Sequence, residues 1–127
     1  MTLSNFYTTY NGVLLQDDGS TVSADFKKFA QDFRSVLRQI CKNNGWKLAG
    51  FNVGHYQVRA FFCEEDRKFV YVSFAPSRFI ELDLNRKDAL AGILIRRADS
   101  TTDFTGRTNH FTSVLSLETD AKRLMKL

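Results

Sequence analysis

Three strand-like runs joined by short turns constrain this chain more than any other feature. "WKLAGFNV" (Trp46–Val53), "YQVRAFFC" (Tyr56–Cys63) and "KFVYVSF" (Lys68–Phe74) are rich in aromatic and β-branched residues. The links, Gly54-His55 and Glu64–Arg67, are too short for anything but hairpins, so the runs form an antiparallel meander. Pairing Val53 with Tyr56 and Cys63 with Lys68 gives a trial register. One face then carries Trp46, Leu48, Phe61, Cys63, Val70, Val72 and Phe74. The other carries Phe51, Tyr56, Val58, Ala60, Phe62, Phe69 and Tyr71, with Lys47 and Ser73. Both are apolar. Such a sheet must be covered on both sides or must offer one side to a partner.

A helix over Ala24–Asn44 supplies one cover. Phe26, Phe29, Ala30, Phe33, Leu37, Ile40 and Cys41 recur at i, i+3, i+4, i+7 spacing. Ser23 is the candidate N-cap and Gly45 the residue just past the end. Lys27, Arg34, Arg38 and Lys42 run along the outer face. Such a stripe is most often solvated; the sharper reading is an electrostatic rail for phosphate or for an acidic protein surface.

Other elements are shorter. Leu3, Phe6, Tyr7 and Tyr10 have helical spacing, with Ser4 able to cap, Val13–Leu15 reads as a strand, and "QDDGS" reads as a turn. After Pro76 a connecting segment or short helix is expected near Asn85–Ala91. Ile93–Arg96 reads as a fourth strand and Ser113–Lys126 as a last helix, with Val114, Leu117, Ala121, Leu124 and Met125 on its apolar face. The expected architecture is one α+β domain over residues 1–127: an antiparallel meander of about four strands, a long N-terminal helix on one face and a short C-terminal helix. The alternative is a two-layer arrangement completed by a homodimer.

Composition removes several function classes. The net charge of +4 permits an anionic partner without demanding one. Cys41 and Cys63 lack metal-like spacing and read as reduced, buried thiols. The N-terminus has no signal-peptide pattern and no apolar run reaches spanning length, which points to a soluble, cytoplasmic protein. His55 and His110 are the only histidines. A Cys63–His110 pair or a metal site from Asp99, Asp103 and His110 is conceivable, yet Asp and His in polar loops are far more often turn formers. The expectation is therefore no enzyme, no metal and no cofactor.

What remains is recognition, and it centres on "ILIRRADSTTDFTGRTNHFT" (Ile93–Thr112). Arg96 and Arg97 point to opposite faces of a continuing strand, so at least one is expected at the sheet edge or in solvent. Arg59, mid-strand among apolar residues, needs a carboxylate or a ring; Asp99 or Asp103 is the expected partner. A long polar segment must lie outside the core. Arg97 and Arg107 are accordingly expected on the surface, as part of a partner site. Phe111 is expected to pin the segment to the core ahead of the last helix; Phe104 is left open between pinning and an interface.

The series "GHYQVRAFF", "KFVYVSF", "ILIRRA" and "DFTGRTNHFT" with a short helix after it resembles a group of small proteins encoded on bacterial conjugative transposons and prophages. The similarity covers roughly Gly45–Leu127. The chain departs from that pattern at Arg107, where a second glycine would follow Gly106, and it lacks a Trp in "FIELDLN". The resemblance transfers no catalytic residue. By genetic company it implies an inhibitor of the anti-CRISPR type, which binds a host defence protein or nucleoprotein. Lys27, Arg34, Arg38, Lys42, Arg97 and Arg107 are the candidate partner-binding residues. The rival is a single-stranded nucleic-acid binder that stacks bases on Phe51, Tyr56, Phe69 and Tyr71.

Overall fold

The computed structural model describes residues 2–10, 24–54, 57–75, 91–103 and 107–127. Helix α1 (Leu3–Tyr10) precedes the long helix α2 (Ala24–Asn44). Strands β1 (Lys47–Gly54), β2 (Gln57–Glu65), β3 (Lys68–Phe74), β4 (Ala91–Ala98) and β5 (His110–Ser113) follow, and helix α3 (Leu117–Met125) comes last. The strands form a five-stranded antiparallel sheet in the order β1-β2-β3-β4-β5. The α+β class and the meander stand as expected. The strand count does not, because His110–Ser113 adds an edge strand, and the long helix is not the first one. The expectations for Val13–Leu15, the Ser23 cap, Tyr56, Asn85–Leu90, Phe104 and Gly106 lie outside the described residues.

The helices share one face of the sheet. Phe26, Phe29, Phe33 and Leu37 of α2 are buried against Val58, Ala60, Phe62, Val70, Val72 and Phe74. Rings fill much of this interior: Phe29 and Phe33 stack at 5.9 Å, and Phe74 meets them at 5.7 and 5.4 Å. Full burial of such a side chain stabilises by roughly 1.5–3 kcal/mol. At the end of α2 the Trp46 amide donates to Cys41 O at 2.8 Å while Gly45 takes φ +70°. That left-handed residue reverses the chain into β1. Helix α1 docks on α2 through Phe6 and Tyr10, and the Tyr10 hydroxyl donates to Asp32 Oδ2 at 2.6 Å. Helix α3 closes the far side over Ile93, Ile95 and Val114. Its first turn is tied to α2 by Asn44 Nδ2, which donates to Glu118 Oε2 at 2.8 Å.

The trial register is one residue out for β2. Gly54 pairs with Gln57, and Glu65 with Lys68. The second turn thus sits one place further along the chain, and Arg67 takes φ +65° at its tip. Because side chains alternate, the slip turns β2 over. Val58, Ala60 and Phe62 face the helices, while Arg59, Phe61 and Cys63 share the opposite face with Phe69 and Tyr71. A bulge between Ala49 and Asn52 moves Phe51 to the helix side as well. Among the described residues, no helix is long and apolar enough to cross a membrane.

Candidate functional site

The six candidate cations separate into two places. Lys27, Arg34, Arg38 and Lys42 are exposed on α2, which packs beside β1 at one edge of the sheet. Arg97 and Arg107 lie near β4 and β5, at the other. Three to four strand spacings of ~4.8 Å separate the two edges.

Between α2 and β1 lies a groove of about 440 Å³, lined by Lys27, Ala30, Gln31, Arg34, Phe51 and Val53. The Arg34 guanidinium sits 4.9 Å from the Phe51 ring centroid. This contact holds the charge over an apolar floor without neutralising it. Lys28, one residue out of line, is paired with Asp32 at 3.1 Å. No such carboxylate partner is found for Lys27, Arg34, Arg38 or Lys42 among the described residues. The rail is therefore charged and exposed, and uncompensated among the described residues.

The second sheet face is not the open aromatic platform that base stacking would use. Tyr71 is only 7 % exposed, and Phe61 and Ala98 are buried. The polar segment after β4 forms the described part of their cover. Arg96, 5 % exposed, lies with its guanidinium 4.9 Å from the Tyr71 ring centroid. Its Nη2 donates to Asp103 O at 3.2 Å and its Nη1 to Asn109 Oδ1 at 3.3 Å. Thr101 reaches as far as Gly50 of β1, where a Cβ built on the glycine would lie 3.8 Å from Thr101 Cβ. The segment braces itself too: Asp103 Oδ2 accepts from the Asp99 amide at 3.0 Å, and Arg107 Nη2 donates to both Asp99 oxygens at 2.9 and 2.8 Å. It is a strap across the face. Of the four rings proposed for stacking, Phe51 belongs to the groove beneath Arg34, Phe69 is half-buried, Tyr71 is under Arg96, and Tyr56 lies outside the described residues.

Several placements need correction. Arg97 is 8 % exposed, not on the surface, so both members of the twin arginine are buried. Its Nη1 donates to the carbonyl oxygens of Arg67, Phe69 and Ala98, capping the end of the β2–β3 hairpin. Arg107 is exposed but paired with Asp99. Asp99 and Asp103 thus serve the strap and not Arg59, which is half-buried between Asn52 and Ser73 without a carboxylate partner among the described residues. Phe111 is 63 % exposed and is not buried in the core as a pinning residue would be. On β5 it falls opposite His110 and Thr112, and Thr112 faces α3, donating to Asp120 Oδ2 at 2.6 Å.

Beside Arg97 is a cavity of about 320 Å³, lined also by Arg107, Thr108, His110, Leu124 and Leu127. Neither thiol is placed for nucleophilic work. Burial pushes Cys41 up to about 12 and also raises the half-buried Cys63. His110 lies on the helix face of β5, across the sheet from Cys63, so the two do not form a pair. Asp99, Asp103 and His110 do not converge on a metal-sized point, and no group of three or more His, Cys, Asp or Glu does so among the described residues. The groove between α2 and β1 carried a legible signal, the cationic stripe. The Arg97 cavity did not, because its walls come from three separate stretches of chain. No family model, curated protein or solved structure matches the chain.

Proposed function

We propose that the protein is a non-enzymatic binding module that engages an acidic surface of a host protein or nucleoprotein through the groove between α2 and β1. There it acts as an inhibitor of the kind carried by mobile elements against host defence. The observation behind the binding step is the rail itself: four exposed cations with no carboxylate partner among the described residues, beside an apolar floor at Phe51 and Val53. Uncompensated charge of one sign speeds encounter with an oppositely charged surface, and the ring beneath Arg34 supplies desolvated contact once docked. The inhibitory role rests on the resemblance to mobile-element proteins and on the fold's small size. Burial raises both described thiols, which disfavours thiolate chemistry at Cys41 and Cys63.

The rival reading, single-stranded nucleic acid stacked on a sheet face, has weaker support, because Tyr71 already carries Arg96 on its ring. The test is capture of partners from a bacterial host lysate with tagged protein, wild type against Arg34→Glu/Arg38→Glu. Both residues are exposed, so folding should be unchanged. A stoichiometric acidic partner should be recovered by the wild type, weakened by added salt, and lost at least about tenfold with the variant. Equal recovery by both proteins, or no partner for either, refutes the proposal.

A further inference from the structure

Strand β1 ends the sheet on the side of the rail. It pairs with β2, and its outer edge pairs with no strand and makes no other backbone hydrogen bond among the described residues. The two halves of that edge differ. Lys47 guards the first, and the bulge between Ala49 and Asn52 breaks its line. Beyond the bulge, Phe51–Gly54 carries neither Lys nor Pro, the residues that commonly block an edge. Val53 is 43 % exposed there. Phe51 and Val53, two apart, line the groove on the helix side together with Lys27 and Arg34.

The other side of the same edge is cationic too. Asn52 of β1 pairs with Arg59 of β2, which alternates with the helix-facing Val58 and Ala60 and so lies on the far face. Arg59 is half-buried and, like the rail, has no carboxylate partner among the described residues. Cations without carboxylates therefore stand on both faces beside one open edge. A helix in the groove, or a flat acidic surface laid over α2, meets only Lys27 and Arg34. A strand alongside β1 projects alternate side chains to both faces, so it meets the groove with one set and Arg59 with the other. Arg59 is two strand spacings, ~9.6 Å, from such a strand, a gap that arginine and glutamate side chains bridge together.

We infer that the acidic segment engaged by the groove is an extended strand that adds to the outer edge of β1 along Phe51–Gly54. This rests on the binding role proposed above and names the form of the partner. Main-chain hydrogen bonds to the open edge hold the segment. On the helix side it needs an apolar residue against Val53 and a carboxylate within reach of Lys27 and Arg34. On the far side it needs a carboxylate toward Arg59.

The probe is a blocked peptide of three Val-Glu-Glu-Thr repeats, which as a strand shows carboxylates on both faces. Its comparison is a peptide of three Leu-Glu-Glu-Ala repeats, equal in charge and favouring a helix. Calorimetry gives affinity, and amide hydrogen exchange gives the site. The strand peptide should saturate, protect alternate amides within Phe51–Gly54, and bind at least about tenfold more tightly than the helical one. Arg59→Gln should lower its affinity about fivefold, while Lys126→Gln, the same charge change on an exposed residue after α3, should stay within about twofold. Methylating the peptide's backbone nitrogens at every second residue tests the same point without altering the protein: in one of the two phases affinity should fall at least about tenfold. Four results overturn strand addition: no saturable binding at millimolar peptide, equal binding of the helical peptide, no protection within Phe51–Gly54, or undiminished binding of both methylated forms. The binding role of the rail survives the last three if Arg34→Glu/Arg38→Glu still weakens the peptides, and falls with strand addition if neither peptide distinguishes that variant from wild type.

Discussion

Replacing Arg96 with Met tests whether the polar segment is a strap or a loosely attached loop. The substitution keeps length and apolar bulk and removes the charge. Lost are the bonds to Asp103 O and Asn109 Oδ1, at 3.2 and 3.3 Å, and the contact with the Tyr71 ring. Hydrogen bonds from a charged donor contribute ~1.5–3 kcal/mol each, and these long ones belong at the low end. The cation–π contact adds about 1 kcal/mol. Against this, a guanidinium no longer has to be desolvated, and Met retains contact with the ring, together recovering about 1–2 kcal/mol. The net loss is about 2–3 kcal/mol, or roughly 8–12 °C in melting temperature for a chain of this size. Urea unfolding measures the first quantity. Hydrogen exchange measures the mechanism: amides of residues 99–103 and 107–109 should exchange faster while those of α2 keep the protection set by global stability. Arg107→Gln is the control, since its exposed ion pair contributes only about 0–1 kcal/mol. A loss below about 0.5 kcal/mol for Arg96→Met, with unaltered exchange in the segment, would show that the guanidinium does not hold it down.

Gly50→Ala should destabilise by about 2 kcal/mol: the residue sits at φ +58°, and a new Cβ would come within 3.1 Å of the Phe61 ring. An unchanged urea midpoint would mean that the bulge relaxes freely. Tyr10→Phe should flatten the acid limb of the stability curve. Burial raises the Asp32 carboxyl, but the hydrogen bond from Tyr10 and the nearby Lys28 outweigh it, leaving the pKa below its ordinary value of 3.8. The unfolded chain therefore takes up the proton first, so this contribution is present above pH 3.8 and is lost as pH falls below it toward the native pKa. Urea titrations of both proteins across that window should show the shallower slope in Tyr10→Phe; equal slopes would remove Asp32 as the cause.

The long helix was legible because seven apolar residues at helical spacing and a glycine just past the end agree with one another. The meander was legible from turn length. Register was not, because it hangs on which two residues form each turn. At the second hairpin the left-handed position is filled by Arg67, a residue that announces no such backbone, where Gly or Asn would have. One displaced turn residue then inverted the face assignment of β2. The Gly50 bulge had the same effect on Phe51, and a lone glycine in a strand signals a bulge only weakly. The burial of Arg96 and Arg97 was hidden for a different reason. Arginine reads as surface by type, yet both partners of Arg96 and all three carbonyls around Arg97 are uncharged groups, so no opposite charge in the sequence marks the sites. The cationic stripe on α2 was visible because it needs only helical periodicity.

The order β1-β2-β3-β4-β5 also has a kinetic consequence. Each of the five described strands pairs with its neighbour in the chain, so loop closure is met one pairing at a time. A chain emerging from the ribosome can lay α2 onto β1–β3, joining Phe29 and Phe33 to Phe74, before the last strands exist. Ile93, Ile95 and Val114 complete their cover later, since it includes the final helix. A nascent chain halted before Leu117 would therefore present an apolar patch beside the unfinished strand edge at β5. That is the stage at which chaperone capture and misassembly compete most directly with folding.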